Sequence, residues 1–337
     1  MHILLIIATQ QRALMRWASV ALTLASGTAW AAGCTSATPA CADWVTVGGG
    51  DARAGVYRSH SLDAKNEAIT RALVMIHGYG RNAESYFRTA IAAASRAGAL
   101  ENTVIVAPRF TSSQGACRDS LAPQELNWMC SGPDGWRNGG GAIGNAAITS
   151  FHVGDAIVQR LARKEIFPNL KSIVVAGHSA GGQYAARYAM SNELHEGVRI
   201  SMTYVVANPS SYTYPDDRRP ATVSQDCPTF DNWPYGLQRR GGYSEKYSNE
   251  QLIRQLLGRS TTFLVGELDV LPQYNFDASC PAMAQGPTRL ARGLAYVKHI
   301  GGNFGAKHRA IVIPACGHSA RCMFTAEQAL PVLFPSQ

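Results

Sequence analysis

Short apolar runs alternate with longer stretches of helical periodicity along most of this chain. Thr70 to Ile76, Thr103 to Ala107, Ser172 to Ala176, Ile200 to Ala207, Thr262 to Val265 and Ala310 to Ile313 are mostly apolar and rich in β-branched residues. Continuous runs of this kind predict strands buried on both faces. Between them, Ala83 to Ala97 is alanine-rich, Ser150 to Lys164 is amphipathic, and Ala180 to Met190 and Ala320 to about Leu330 also read as helices. Strands alternating with helices predict an α/β fold, with a mostly parallel central sheet and helices on both faces. Upstream, Gly48-Gly49-Gly50 predicts a turn between early strands.

Two long segments break the alternation. Residues 108–149 carry Cys117, Trp128, Cys130, Trp136 and Gly139-Gly140-Gly141; residues 209–258 carry Tyr212, Tyr214, Cys227, Phe230, Trp233, Tyr235, Tyr243 and Tyr247. Insertions of this length are usually functional or disordered, and aromatic and cysteine content argues against disorder. The second reads as a small cysteine-containing lid over about 209–258. Its aromatics either form a substrate wall or pack beneath the lid.

The chemistry enters at Gly177-His178-Ser179-Ala180-Gly181, a G-x-S-x-G pentapeptide between a predicted strand and a predicted helix. That is the context of a nucleophile elbow, where the serine sits on a strained turn and small neighbours are needed. A serine hydroxyl is a weak nucleophile and needs a base, which in turn needs an orienting acid. Downstream, the strand ending at Gly266 is followed by Asp269, with Glu267 as the competing carboxylate nearer the strand. The strand ending at Ile313 is followed by Gly317-His318. Of the nine histidines, His308 precedes that strand, at the wrong edge of the sheet, and His299 lies in the helical region before it. The predicted catalytic set is therefore Ser179, Asp269 and His318. An oxyanion requires two backbone N–H donors. Ala180 supplies one, and Tyr79 in Ile76-His77-Gly78-Tyr79-Gly80 the other, with Gly80 as an alternative shifted by one residue. His77 is expected to brace this loop rather than act as a second base.

With these parts in order, the chain resembles the α/β-hydrolase superfamily over nearly all of its length after the N-terminal segment. His77-Gly78-Tyr79 and Gly177-His178-Ser179-Ala180-Gly181-Gly182 are similar to secreted esterases of the polyhydroxyalkanoate depolymerase and feruloyl esterase type. The resemblance implies hydrolysis of a small-molecule or polymeric carboxylic ester through an acyl-enzyme on Ser179. A peptidase or amidase using the same residues, and a catalytically silent binding protein on the same scaffold, are the alternatives. A silent scaffold ordinarily lacks a member of the set, and none is missing.

The remaining composition refines this picture. Arg12 and Arg16 precede an apolar stretch from Trp17 to Ala25 and then Ala29-Trp30-Ala31, the order of an export signal over 1–31, leaving 32–337 as the hydrolase domain. Met15 offers a second start, and Ala31-Ala32-Gly33-Cys34 is a weak lipid-attachment pattern. The stretch is too short for a stable membrane span, so the protein is expected to be secreted or periplasmic. All eight cysteines follow the cleavage point, which in an oxidising compartment reads as disulfides. Sequence order suggests 34–41, 117–130, 227–280 and 316–322, among 105 connectivities. Cys316, His318 and Cys322 do not complete a zinc set, no cofactor motif stands in a suitable setting, and no metal or cofactor is expected. The net charge of +8 is scattered, with no nucleic-acid stripe. Oligomeric state is not legible.

Overall fold

The computed structural model describes residues 33–336; the expected export signal lies outside the described residues. In chain order the elements begin with β1 (Ala42–Thr46), β2 (Arg53–Arg58), β3 (Arg71–Ile76), α1 (Ala83–Arg96) and β4 (Thr103–Pro108). A two-stranded ribbon, β5 (Gly141–Ala142) and β6 (Asn145–Thr149), leads into α2 (Ser150–Leu161). Next come β7 (Ser172–His178), α3 (Ala180–Ser191), the short α4 (Leu194–Gly197) and β8 (Ser201–Ala207). The chain continues with α5 (Asn249–Gly258), β9 (Thr261–Gly266), α6 (Cys280–Met283), α7 (Arg289–Phe304), β10 (Arg309–Ile313), α8 (Ala320–Thr325) and α9 (Leu330–Leu333).

Eight strands form one sheet in the order β1-β2-β4-β3-β7-β8-β9-β10. β1 and β2 make the antiparallel edge around the Gly48-Gly49-Gly50 turn, and β2 meets β4 antiparallel. From β4 to β10 every pairing is parallel. This is the α/β-hydrolase architecture expected from the alternating pattern.

Successive side chains of a strand point to opposite faces, and both faces here are apolar. In β3, Ala72, Val74 and Ile76 join the core under α2 and α3, whereas Leu73 and Met75 pack with α1, α8 and α9. Val206 and Phe263 extend the first face to Tyr296 and Ile300 of α7. Burial on both sides is why β3, β4, β7, β8 and β9 read as continuous apolar runs; β10, expected to be buried likewise, is the sheet's edge and only Ile313 in it is buried.

The expected helix over Ala320 to Leu330 is two pieces. Pro331 falls in the first turn of α9, where its missing N–H costs nothing. A helix running into it from Ala320 would bring the proline ring against the carbonyl four residues back, and Ala326 is accordingly extended, with ψ 142°. The four disulfides pair Cys34–Cys41, Cys117–Cys130, Cys227–Cys280 and Cys316–Cys322, the order suggested by sequence. Among the described residues no helix is long and apolar enough to cross a membrane.

Candidate active site

The parallel strands all end at one edge of the sheet, and the residues just past β3, β7, β8, β9 and β10 meet there. In parallel α/β sheets, crevices at the carboxyl ends of the strands are where ligands bind.

Ser179 follows the last residue of β7 with φ 58° and ψ −119°, a conformation that strains any side-chain-bearing residue. The turn is held by close packing of backbone. A Cβ on Gly177 would sit 2.1 Å from the Gly181 carbonyl oxygen, and one on Gly181 would sit 2.3 Å from that of Ile76. Only glycine fits either place. The Ser179 N–H donates to Ala207 O at 2.9 Å, docking the elbow on β8.

His318 lies beyond β10 with its Nε2 2.9 Å from Ser179 Oγ, and its Nδ1 is 2.7 Å from Asp269 Oδ2. The carboxylate accepts from Nδ1–H, so Nε2 is left to accept the serine proton. The sequence-expected Ser179, His318 and Asp269 thus stand in one hydrogen-bonded line. Glu267 does not join it: exposed at the edge, it accepts the Ala315 N–H at 2.8 Å and steadies the loop that carries His318. Leu268 N–H to Cys316 O, at 2.9 Å, ties the acid loop to the base loop directly. The Cys316–Cys322 bridge closes around His318.

Several residues of the site gave no signal in the sequence. Arg289, buried on α7, reaches the other oxygen of Asp269 at 3.4 Å and also donates to Ser210 Oγ and to the carbonyls of Gln273 and Tyr274. Tyr274 and Asn275 both have positive φ, so this arginine also secures a strained loop beside the base. Asn208, with φ 43°, donates to Gly317 O and accepts from Gly266 N–H, clamping the ends of β9 and the His318 loop. His178 is buried, with Nδ1 3.1 Å from Tyr86 Oη and its ring 4.5 Å from that of His318. Burial, aided by the charges of His318 and Arg289, holds its pKa well below 6.5, so the ring beneath His318 stays neutral.

The Tyr79 loop is braced from three sides. His77 Nδ1 donates to Gly78 O at 2.8 Å, and its Nε2 accepts the Phe110 N–H at 2.9 Å, the bracing role expected of it. Arg81 donates to Tyr79 O and pairs with Asp119 at 2.6 Å. Among the described residues, neither the Ala180 N–H, at the first position of α3, nor those of Tyr79 and Gly80 meet a protein acceptor. A developing oxyanion needs two such free donors, which Ala180 and either Tyr79 or Gly80 can supply, and the dipole of α3 adds positive potential there.

The serine opens on a cleft of two lobes. One, of about 540 Å³, runs between the Tyr79 loop, α1 and α8; the other, of about 560 Å³, lies beneath residues 229–235 and against Arg137 and Gln183. Phe276 and Asp277, in the loop bridged to 227 by Cys280, complete the second wall. No cluster of three or more His, Cys, Asp or Glu side chains is gathered as for a metal among the described residues, and both cysteines beside His318 are committed to a disulfide.

The alpha/beta hydrolase family model matches residues 73–330, from within β3 to the start of α9. The chain belongs to the alpha/beta hydrolase family. No curated protein matches it in sequence. Among solved structures it is similar to LpqC, a poly(3-hydroxybutyrate) depolymerase from Bordetella parapertussis, with a TM-score of 0.61 and 22% identity over 87% of this chain and 90% of that one. It is similar to poly(aspartic acid) hydrolase-1 from Sphingomonas sp. KT-1 at a TM-score of 0.59 and 23% identity, over 87% of this chain and 97% of that one. At these identities the likeness is one of fold. In this alpha/beta hydrolase the elbow and the loops bearing Asp269 and His318 meet at the carboxyl edge of the sheet.

Proposed function

We propose that this α/β-hydrolase is an exported serine esterase that cleaves carboxylic esters through an acyl-enzyme on Ser179. The observation that carries the reading is the Ser179–His318–Asp269 line at 2.9 and 2.7 Å, set at the mouth of an open cleft. His318 Nε2 takes the serine proton as Oγ attacks the carbonyl carbon. The N–H groups of Tyr79 and Ala180 receive the oxyanion, a contribution of about 3 kcal/mol for each donor. The imidazolium then protonates the departing alcohol, and water activated by the same histidine releases the acid. Asp269 keeps the ring in the tautomer that makes this possible.

Export is supported by four disulfides spread from residue 34 to residue 322, since such bonds persist in oxidising compartments. Ser210, Ser211, Thr229 and Asn232 to Tyr235 line the second lobe, which supports reading the segment of about 209–258 as its lid. The open cleft accommodates either a small ester or a segment of a polymer.

The test is hydrolysis of a panel of 4-nitrophenyl esters, an aryl amide and a polyester film, with Ser179→Ala as the blank. A fluorophosphonate probe should label Ser179 alone, as read by peptide mass spectrometry. Label on another serine, or turnover that survives in Ser179→Ala, rejects the assignment. Cleavage of the amide in preference to every ester rejects the substrate class.

A further inference from the structure

We propose that the cleft takes a substrate bearing carboxylates on both sides of the scissile bond. The inference rests on the esterase reading for the place of the scissile bond, and on the cleft's own charges for the rest.

The two lobes flank Ser179, and guanidinium groups stand in both. Arg88 and Arg321 line the first lobe, whose wall contains no Asp or Glu. Arg137 lines the second, facing a single carboxylate, Asp277. That carboxylate accepts from Tyr235 Oη at 2.8 Å and from Ser279 N and Oγ, neutral donors, and its charge offsets part of the positive field of Arg187, Arg289 and Arg292. Among the described residues the side chains of Arg137 and Arg321 have no hydrogen bond or ion pair, and Arg88 reaches only Ser85 Oγ. Arg160 and Arg163, by contrast, both pair with Asp63.

A second observation lies behind the wall. Arg187 is 1% exposed, and no carboxylate pairs with it among the described residues. Its Nη2 donates to Ser211 Oγ and Pro234 O, two groups that line the second lobe, while Nη1 is buried without a partner. Its pKa is pushed down to about 9, by burial first and then by the like charge of Arg137. Two guanidinium groups that repel each other across a cavity wall, one buried with no carboxylate in contact and offset only in part by the charge of Asp277, are an arrangement that a bound anion relieves. Positive charge lining a cleft with low-dielectric walls also focuses its field on the ligand more strongly than it would on an open surface. An uncharged alkyl chain would leave Arg88, Arg137 and Arg321 without an ionic partner.

The test uses matched ester pairs and a binding measurement independent of turnover. On the acyl side the pair is 4-nitrophenyl hemiglutarate and 4-nitrophenyl butyrate. On the alcohol side it is 4-acetoxybenzoate and its methyl ester. The readout is the anionic-to-neutral ratio of kcat/KM, normalised to hydroxide hydrolysis. Wild type should favour the anionic member of each pair. Arg137→Gln should lower the ratio about tenfold in one pair and Arg321→Gln should lower it in the other, since a charge-assisted hydrogen bond is lost in each. The preference should shrink as ionic strength rises from about 0.01 M to about 1 M. Calorimetry of Ser179→Ala should show binding of an oligo-glutamate but not of an oligo-glutamine, weakened by adding Arg137→Gln. Preference for the neutral esters, or ratios and binding unmoved by either substitution and by salt, overturns the inference. Charge-dependent binding without cleavage of any ester would instead overturn the esterase reading and leave this inference standing.

Discussion

Acid should unfold this protein partly through His77, the residue that braces the Tyr79 loop. Its ring is fully buried, with Phe110 and Trp136 at centroid distances of 5.6 and 4.7 Å. One nitrogen donates to Gly78 O and the other accepts the Phe110 N–H. Protonation must therefore break the second bond and bury a charge. Burial, only partly opposed by the Gly78 hydrogen bond, lowers the pKa from 6.5 to about 4. The unfolded chain takes up this proton at higher pH than the folded one, so stability from this group is complete above about 6.5 and is lost as pH falls toward 4. At about 1.4 kcal/mol per pH unit, the gap amounts to about 3 kcal/mol, with about 2 kcal/mol gone by about pH 5. His77→Gln removes the titration and keeps an acceptor in reach of Phe110 N. Urea unfolding followed by tryptophan fluorescence, with disulfides intact, gives stability from about pH 7 to about pH 4. The variant should start lower, by about 1–3 kcal/mol for the lost Gly78 hydrogen bond, and should lose about 3 kcal/mol less than wild type over that range. Wild type and variant falling in parallel would refute the reasoning and return the acid sensitivity to other groups, such as His178.

Asp155 should act in the opposite direction. Burial, against hydrogen bonds from Tyr243 and Tyr188, raises its pKa to about 6, so its stability contribution is present below 3.8 and is lost as pH rises through 6; in the same unfolding assay Asp155→Asn should gain on wild type over that range. Asp269→Asn should lose on the order of 10⁴ in kcat, and Glu267→Gln, which only loosens the Ala315 contact, should be mild; steady-state rates in which the two effects are exchanged would show the acid to be misassigned. Gly181→Ala forces a methyl against the Ile76 and His77 carbonyls and should leave little soluble, active protein, whereas Gly50→Ala, with open space around it, should be indistinguishable from wild type in expression and rate. Replacing Cys316 and Cys322 together with serine should lower the temperature at which activity fails more than the melting temperature, because the closed loop is short and its entropic effect on folding modest. Equal shifts in both temperatures would show that the bridge does not serve the base loop specifically.

The sequence by itself determined whatever depends on neighbouring residues. Five strand runs announced themselves because burial on both faces demands unbroken apolar sequence, while the sixth, at the sheet edge in β10, is apolar although mostly exposed. Ser179 was legible because the strained elbow admits only small flanks, a requirement written into five consecutive positions. Asp269 and His318 were legible because each follows a strand end that the sheet must bring to one edge. Helix α7 offered only a helical region around His299, since its buried stripe is Arg289, Arg292, Gly293, Tyr296 and Ile300 rather than an apolar series. The role of Arg289 arises only when that helix delivers a guanidinium to the far oxygen of Asp269. Asn208, Tyr86 and Arg81 are likewise ordinary polar residues until folding sets them against Gly317, His178 and Asp119. The single helix expected after His318 broke because a proline constrains the residues before it, and a periodicity count does not weigh that. The charge of the cleft was hidden for the same reason as Arg289. Arg88, Arg137 and Arg321 lie on three separate segments, and only the sheet's shared carboxyl edge places them around one serine.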